Sequence, residues 1–220
     1  SPRRIAQVRR RNPRVELVDL RGNVDSRLSR VRDGELDAVI LAAAGLERLG
    51  ADPGELRFEP VGLAEWPTAP GQGALAVEVR AADLDEPLGH AVAQLDDPST
   101  RIAVTAERAV LAGLDAGCSA PVGVHADLVD DLLRVRAIVY ALDGSRRIGD
   151  DRTFVLAALS GPAQPADRRE GYALISSSGN GADAADGADP KTRAMRAGDD
   201  VARRLLDHGA AGLVPRESTP

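Results

Sequence analysis

Residues 38–44 read Ala-Val-Ile-Leu-Ala-Ala-Ala, seven apolar positions without a break. A half-solvated strand alternates apolar and polar residues; an unbroken short run fits a strand covered on both faces, as in a parallel sheet. The flanking segments support that reading. Val15–Leu20 reads as a strand, Ser26–Arg32 as a short helix stopped near Gly34, and Gly45–Leu49 as a helical turn closed by Gly50. Ahead of them Ser1 stands where it could cap a helix, with Pro2 in the first turn. Ile5, Ala6 and Val8 give that helix a modest apolar stripe, and Asn12-Pro13 ends it. Alternating β and α segments predict an α/β domain with a parallel sheet.

The pattern changes downstream. Residues 51–72 are rich in Pro and Gly and read as a connection. Ala74–Val79 alternates as a strand and Leu84–Leu95 as a helix, before the break Asp96-Asp97-Pro98-Ser99-Thr100, a domain boundary. Ser99 or Thr100 opens an amphipathic helix to about Leu114, followed by the tight loop Gly117-Cys118-Ser119-Ala120-Pro121. Val122–Ala126, Leu133–Leu142 and Arg152–Ala158 read as strands, with Asp143-Gly144 as a hairpin turn. Ser160–Pro190 is poor in large apolar residues and reads as a mobile insertion. Thr192–His208 is a final helix with Gly209 as its cap. Helix, three strands and helix make a small α+β domain with a three-stranded antiparallel sheet.

Charge and composition narrow the function. No apolar run approaches the roughly 20 residues that a membrane span needs, and no basic-then-apolar secretory segment opens the chain. The single cysteine, Cys118, excludes an internal disulfide, and a reducing cytoplasm is the expected compartment. Residues 1–35 hold ten Arg against five Asp and Glu, a net of +5 that leaves −11 for the rest of a chain of net −6. A basic segment in an acidic protein suggests a local anionic partner. Aromatics make up only 2%, so no stacking platform for nucleic acid is available. The chain opens Ser1-Pro2-Arg3-Arg4-Ile5, as if cut at a helix N-terminus, and a fragment or processed chain is expected.

Two groups of residues carry chemistry. Arg3 and Arg4 lie in the first turn of a helix, where free N–H groups and the dipole favour anions. Arg21 and Arg27 flank a Gly-Asn turn after a strand. Each guanidinium is a planar fork matched to carboxylate or phosphate, so together they could hold a small polyanion; the bland alternative is a solvated Arg-rich surface. Cys118 sits among small residues that leave its sulfur accessible, as a nucleophile, an attachment point or a small buried filler. His90, His125 and His208 lie in separate elements without metal-ligand spacing, and no Ser-His-Asp set or zinc pattern is present. Gly71-Gln72-Gly73 is too short for a phosphate loop.

At these residues the sequence resembles the hydroxymethylbilane synthase (porphobilinogen deaminase) family. The resemblance runs through Ser1-Pro2-Arg3-Arg4, "LRGNVDSRL" (Leu20–Leu28), "GELDAVILAAAGLERLG" (Gly34–Gly50), "PGQGALAVEVR" (Pro70–Arg80) and "ERAVLAGLDAGCSAPVGVHA" (Glu107–Ala126). It covers about residues 1–158 and fits the last helix. It implies a transferase that joins four porphobilinogen units with release of ammonia, on a dipyrromethane primer bound through a thioether to one cysteine. Cys118 falls on that position. Arg3, Arg4, Arg21 and Arg27 match the arginines that grip substrate carboxylates, and Ser1 and Gln72 match positions near the cofactor.

The resemblance also implies a fold and partners. Residues 1–65 would form most of an α/β domain like those of periplasmic binding proteins. Residues 66–97 would be a connection and a segment returning to a first domain, and 98–220 the α+β domain carrying the cysteine. The partner is porphobilinogen, with no nucleic acid or membrane, and the full-length protein is expected to be a monomer. The family's proton-handling aspartate belongs to an N-terminal part not matched here, so the chain alone is expected to be inactive. Two alternatives remain open: a non-catalytic binding module for a carboxylated small molecule, and an interaction fragment completed by a partner.

Overall fold

The computed structural model describes residues 1–51, 54–117, 119–156 and 188–214. It divides into two compact units, one of Arg14–Trp66 and one of Ser1–Pro13 with Pro67–Pro220. The first helix thus groups with the C-terminal sheet rather than with the segment that follows it.

The larger unit is built around a three-stranded antiparallel sheet. Strand β1 (Val122–Val129) pairs with β2 (Leu132–Tyr140), and β2 with β3 (Arg147–Val155), in the order β1-β2-β3. Register follows from the turns: Val129 pairs with Leu132, and Tyr140 with Arg147 across the turn containing Gly144 at φ +76°. The last strand begins at Arg147 rather than Arg152, because the ladder with β2 fixes its start where the turn ends.

One sheet face is apolar. Val122, Val124, Ala126, Leu133, Val135, Ala137 and Val139 are buried on it. Helices α5 (Pro98–Gly113) and α6 (Pro190–Asp207) cover that face with Ile102, Ala106, Val110, Ala197, Val201 and Leu205. The two helices meet closely at Gly198, where an added Cβ would lie 2.3 Å from the Ala106 carbonyl oxygen. The expected helices are present, but each starts earlier than expected, at Pro98 and at Pro190. Asp97, not Ser99 or Thr100, caps α5 by accepting from the Thr100 N–H, and Asp189 caps α6. An aspartate oxygen placed before Pro at the first helical position meets the free N–H groups of the first turn directly.

The opposite sheet face carries helix α1 (Pro2–Arg11), ended by Asn12 as expected. Ser1 occupies the cap position without a side-chain cap bond. The buried face of α1 is Arg3, Ala6 and Gln7 rather than the expected stripe of Ile5, Ala6 and Val8. Ala6 packs on Ile138 and Tyr140 of β2. Helix α4 (Pro87–Ala93) lies within the expected helical segment 84–95, and a short 3-10 turn (Ala81–Asp83) precedes it.

The smaller unit holds α2 (Val24–Arg32) and α3 (Ala43–Leu49), the latter closed by Gly50 in the left-handed region. Leu28 is its only buried side chain among the described residues.

Among the described residues the expected parallel sheet is not formed. Val15–Leu20, Ala38–Ala44 and Ala74–Val79 carry no ladder, and among the described residues the only sheet is β1-β2-β3. The apolar run instead ends inside α3, with Ala42 as its cap. A strand exists by virtue of its neighbours, and no described segment pairs with these; Val15, Val18, Leu75 and Val77 are correspondingly exposed. Most of the expected insertion 160–190 falls outside the described residues. No helix among the described residues is long and apolar enough to cross a membrane.

Candidate functional site

The site in the larger unit starts from the Pro-Gly turn. The Gln72 N–H donates to the Ala69 carbonyl at 3.0 Å, with Pro70 and Gly71 between and Gly71 at φ +73°. This is the type II signature: Pro fixes the first central residue and Gly accepts the positive φ of the second. The preceding residues run against β1. Val124 N–H donates to the Thr68 carbonyl at 2.8 Å, and a Cβ on Gly123 would sit 2.7 Å from the Pro67 oxygen. Glycine at 123 permits the close approach of this backbone to the sheet.

Helix α1 then delivers Arg3 onto the turn. Arg3 is 4% exposed. Its Nη1 donates to Gln7 Oε1 and to the Pro67 carbonyl, both at 2.8 Å, and its Nη2 to Gln72 Oε1 at 3.2 Å. Gln7, one helical turn on, gives its Nε2 to the same Pro67 oxygen at 3.0 Å and to the Tyr140 hydroxyl at 3.4 Å. Every acceptor here is neutral. Arg3 Nε is buried and without a hydrogen-bond partner among the described residues. Desolvation, reinforced by the neighbouring Arg4, lowers the Arg3 pKa to about 10. Burial likewise pushes the Tyr140 hydroxyl pKa up. A guanidinium taken out of water without a carboxylate is an unbalanced charge, the donor arrangement that an anionic group would complete.

The turn is held from the other side by Glu107 of α5, whose carboxylate accepts from the Gly71 and Ala126 N–H groups. Beyond it the exposed sheet face is charged. Arg134 and Arg136 both engage Asp151, whose pKa falls below its ordinary value because those bonds outweigh its partial burial. Burial also lowers the pKa of His125.

In the smaller unit, Gly22 at φ +104° turns the chain before α2. Asn23 caps the helix, accepting from the Ser26 N–H at 2.9 Å, and Arg27 Nε donates to the Gly22 carbonyl at 2.8 Å. Arg21 is exposed on the same turn.

Of the residues singled out in the sequence, the structure joins Arg3 to Gln72 directly, with Arg4 partly buried beside Arg3. Arg21 and Arg27 share the turn of the smaller unit. Ser1 is exposed, and Cys118 lies outside the described residues. Sequence reasoning missed Gln7, Tyr140 and Glu107. Gln7 had a signal, its spacing of four from Arg3 on one helix. Glu107 had another, a charge inside the apolar stripe of α5. Among the described residues no cluster of His, Cys, Asp and Glu could hold a metal ion.

Two family models match the chain. Residues 1–86 match "Porphobilinogen deaminase, dipyromethane cofactor binding domain", and residues 101–156 match "Porphobilinogen deaminase, C-terminal domain". Among similar curated proteins, the porphobilinogen deaminase of Leifsonia xyli subsp. xyli is 55% identical over 67% of this chain and 45% of its own length. Porphobilinogen deaminase 1 of Streptomyces avermitilis is 44% identical over 97% of this chain and 58% of its own length. The porphobilinogen deaminase of Thermobifida fusca is 46% identical over 76% of this chain and 51% of its own length. The chain spans about half the length of these relatives. With both models in family order over well over half of its residues, the chain belongs to the porphobilinogen deaminase family.

Proposed function

We propose that the complete gene product is a hydroxymethylbilane synthase, a transferase of tetrapyrrole biosynthesis that joins four porphobilinogen units and releases ammonia at each step. The observation that carries this reading is the buried Arg3 guanidinium with its unpartnered Nε and neutral neighbours, on a stretch that matches a cofactor-binding domain. Dipyrromethane fits that donor set, because each of its pyrrole rings carries two carboxylates. Bound, it supplies the primer to which units are added.

Arg3 and Arg4 would hold carboxylates of primer or substrate, with Gln72 fixing the Arg3 fork. Arg21 and Arg27, on their Gly-Asn turn, would grip further carboxylates, and Ser1 would lie near the cofactor. Cys118 would be the thioether attachment point. The family's proton-handling aspartate would lie in an N-terminal part not matched here, and the chain alone would be inactive. In the complete fold, residues 1–65 would form most of a periplasmic-binding-protein-like α/β domain. Residues 66–97 would return to a further domain, and 98–220 would carry the cysteine. The product would work as a cytoplasmic monomer on porphobilinogen alone.

The test is porphobilinogen turnover by the complete gene product and its Arg21→Ala and Arg27→Ala variants. Loss of elongation with folding intact supports the reading. Normal turnover in both variants contradicts the assignment of these arginines.

A further inference from the structure

Helix α5 buries one charged side chain. Glu107, 6% exposed, lies on the same face as Ile102, Ala106, Ala109 and Val110, where an apolar residue would serve packing. Both carboxylate oxygens are used, and both accept from backbone. Oε2 takes the Gly71 N–H at 2.6 Å and Oε1 takes the Ala126 N–H at 2.8 Å. Burial raises the pKa of this carboxyl despite the two bonds, so the ionised form is held at a cost in solvation. In exchange, one side chain fixes two backbones distant in sequence: the Pro-Gly turn and strand β1.

The turn is not passive. Its next residue is Gln72, whose Oε1 receives Arg3 Nη2. A continuous line of contacts therefore runs from α5 through Glu107, Gly71 and Gln72 to the Arg3 fork. Gln7 and the Pro67 carbonyl hold only the Nη1 side of that fork. Without Glu107 the turn would lose its anchor, and the Nη2 side would lose its reference while α1 stayed docked through Nη1 and Ala6.

We propose that Glu107 is a positioning residue, which through Gly71 and Gln72 aims the Arg3 guanidinium at a carboxylate-bearing ligand. The inference deepens the deaminase reading, and only its kinetic arm rests on that reading.

The experiment uses the complete gene product and Glu107→Gln. Glutamine offers one acceptor oxygen and one NH2, so one of the two backbone N–H groups must lose its partner. Hydrogen–deuterium exchange is read on peptides covering 68–74 and, as a control for global opening, 133–139. The expected result is exchange at 68–74 faster by on the order of tenfold, with 133–139 within about twofold of wild type. With porphobilinogen, KM should rise by roughly fivefold while kcat changes less than about twofold, the pattern of lost ligand binding. Unchanged exchange at 68–74, an equal rise in both peptides, or a loosened turn with unchanged KM each overturns the proposal. If wild type shows no turnover, the deaminase reading fails, and the exchange result still decides the positioning.

Should the variant not fold, wild-type amide resonances give the same answer. The Gly71 and Ala126 N–H shifts should move with one midpoint, above the ordinary carboxylate value of 4.5. His125 also faces this carboxylate from β1, with Nδ1 at 3.8 Å, and Asp127, Arg134 and Arg136 surround His125 on the same face. The common midpoint should therefore persist in His125→Gln. Separate midpoints, or no movement at Gly71, overturn the proposal.

Discussion

At the residue scale, the proposed function separates charges kept for stability from charges kept for a ligand. Arg3 would belong to the second kind. Its burial without an anion costs solvation, so Arg3→Met should change folding stability by no more than about 1 kcal/mol. The same variant should abolish primer retention. Urea denaturation and intact mass of the complete gene product check the two halves separately; a large loss of stability would mark Arg3 as structural. Glu107 gives a second test. Its folded pKa is raised, so the folded state binds its proton more tightly than the unfolded state does. Its contribution therefore favours folding at low pH and is lost as pH rises from the ordinary carboxylate range through the raised value. In Glu107→Gln that downward slope should disappear from the urea midpoint as pH rises above the ordinary carboxylate range; an unchanged slope would show that other groups carry it. Arg3, Arg4, Arg21 and Arg27 were singled out in the sequence because arginine at helix starts and turns suits anion chemistry; of these the structure brings Arg3 to Gln72 and bonds Arg27 to the Gly22 carbonyl. Gln7, Tyr140 and Glu107 were not singled out, because the groups that give them a role lie far off in sequence: the Pro67 carbonyl and Tyr140 hydroxyl for Gln7, and the Gly71 and Ala126 N–H groups for Glu107.

At the element scale, the C-terminal unit follows from pattern. The three strands, the hairpin turn at Asp143-Gly144 and the two covering helices were all readable, since each carries its own periodicity and punctuation. Leu205, fully buried on α6, should cost about 2–5 kcal/mol when changed to Ala. Gly198→Val should destabilise by roughly 1–3 kcal/mol or more, because a side chain there meets the α5 backbone. Thermal or urea unfolding measures both, and near-neutral values would mean that α5 and α6 do not pack as described. The segments Val15–Leu20, Ala38–Ala44 and Ala74–Val79 taught the opposite lesson. Their apolar patterns are strand-like, but pattern states a need for a partner and cannot supply one.

At the scale of the whole molecule, those segments and the length comparison point the same way. Leu75 is 78% exposed and Val77 is 56% exposed, while the chain spans about half of its relatives' length. If residues 74–79 join a sheet in the complete gene product, Leu75→Ala should cost about 2–5 kcal/mol there, whereas an exposed position would give under about 0.5 kcal/mol. The central proposal is that the complete gene product would build its product on a primer attached to Cys118 and received by Arg3 and its neighbours. The most direct measurement is the intact mass of the complete gene product purified from cells, beside Cys118→Ser. The account predicts a mass excess of one dipyrromethane that is absent from the variant. A bare mass on the wild type, or an excess that survives Cys118→Ser, would contradict it.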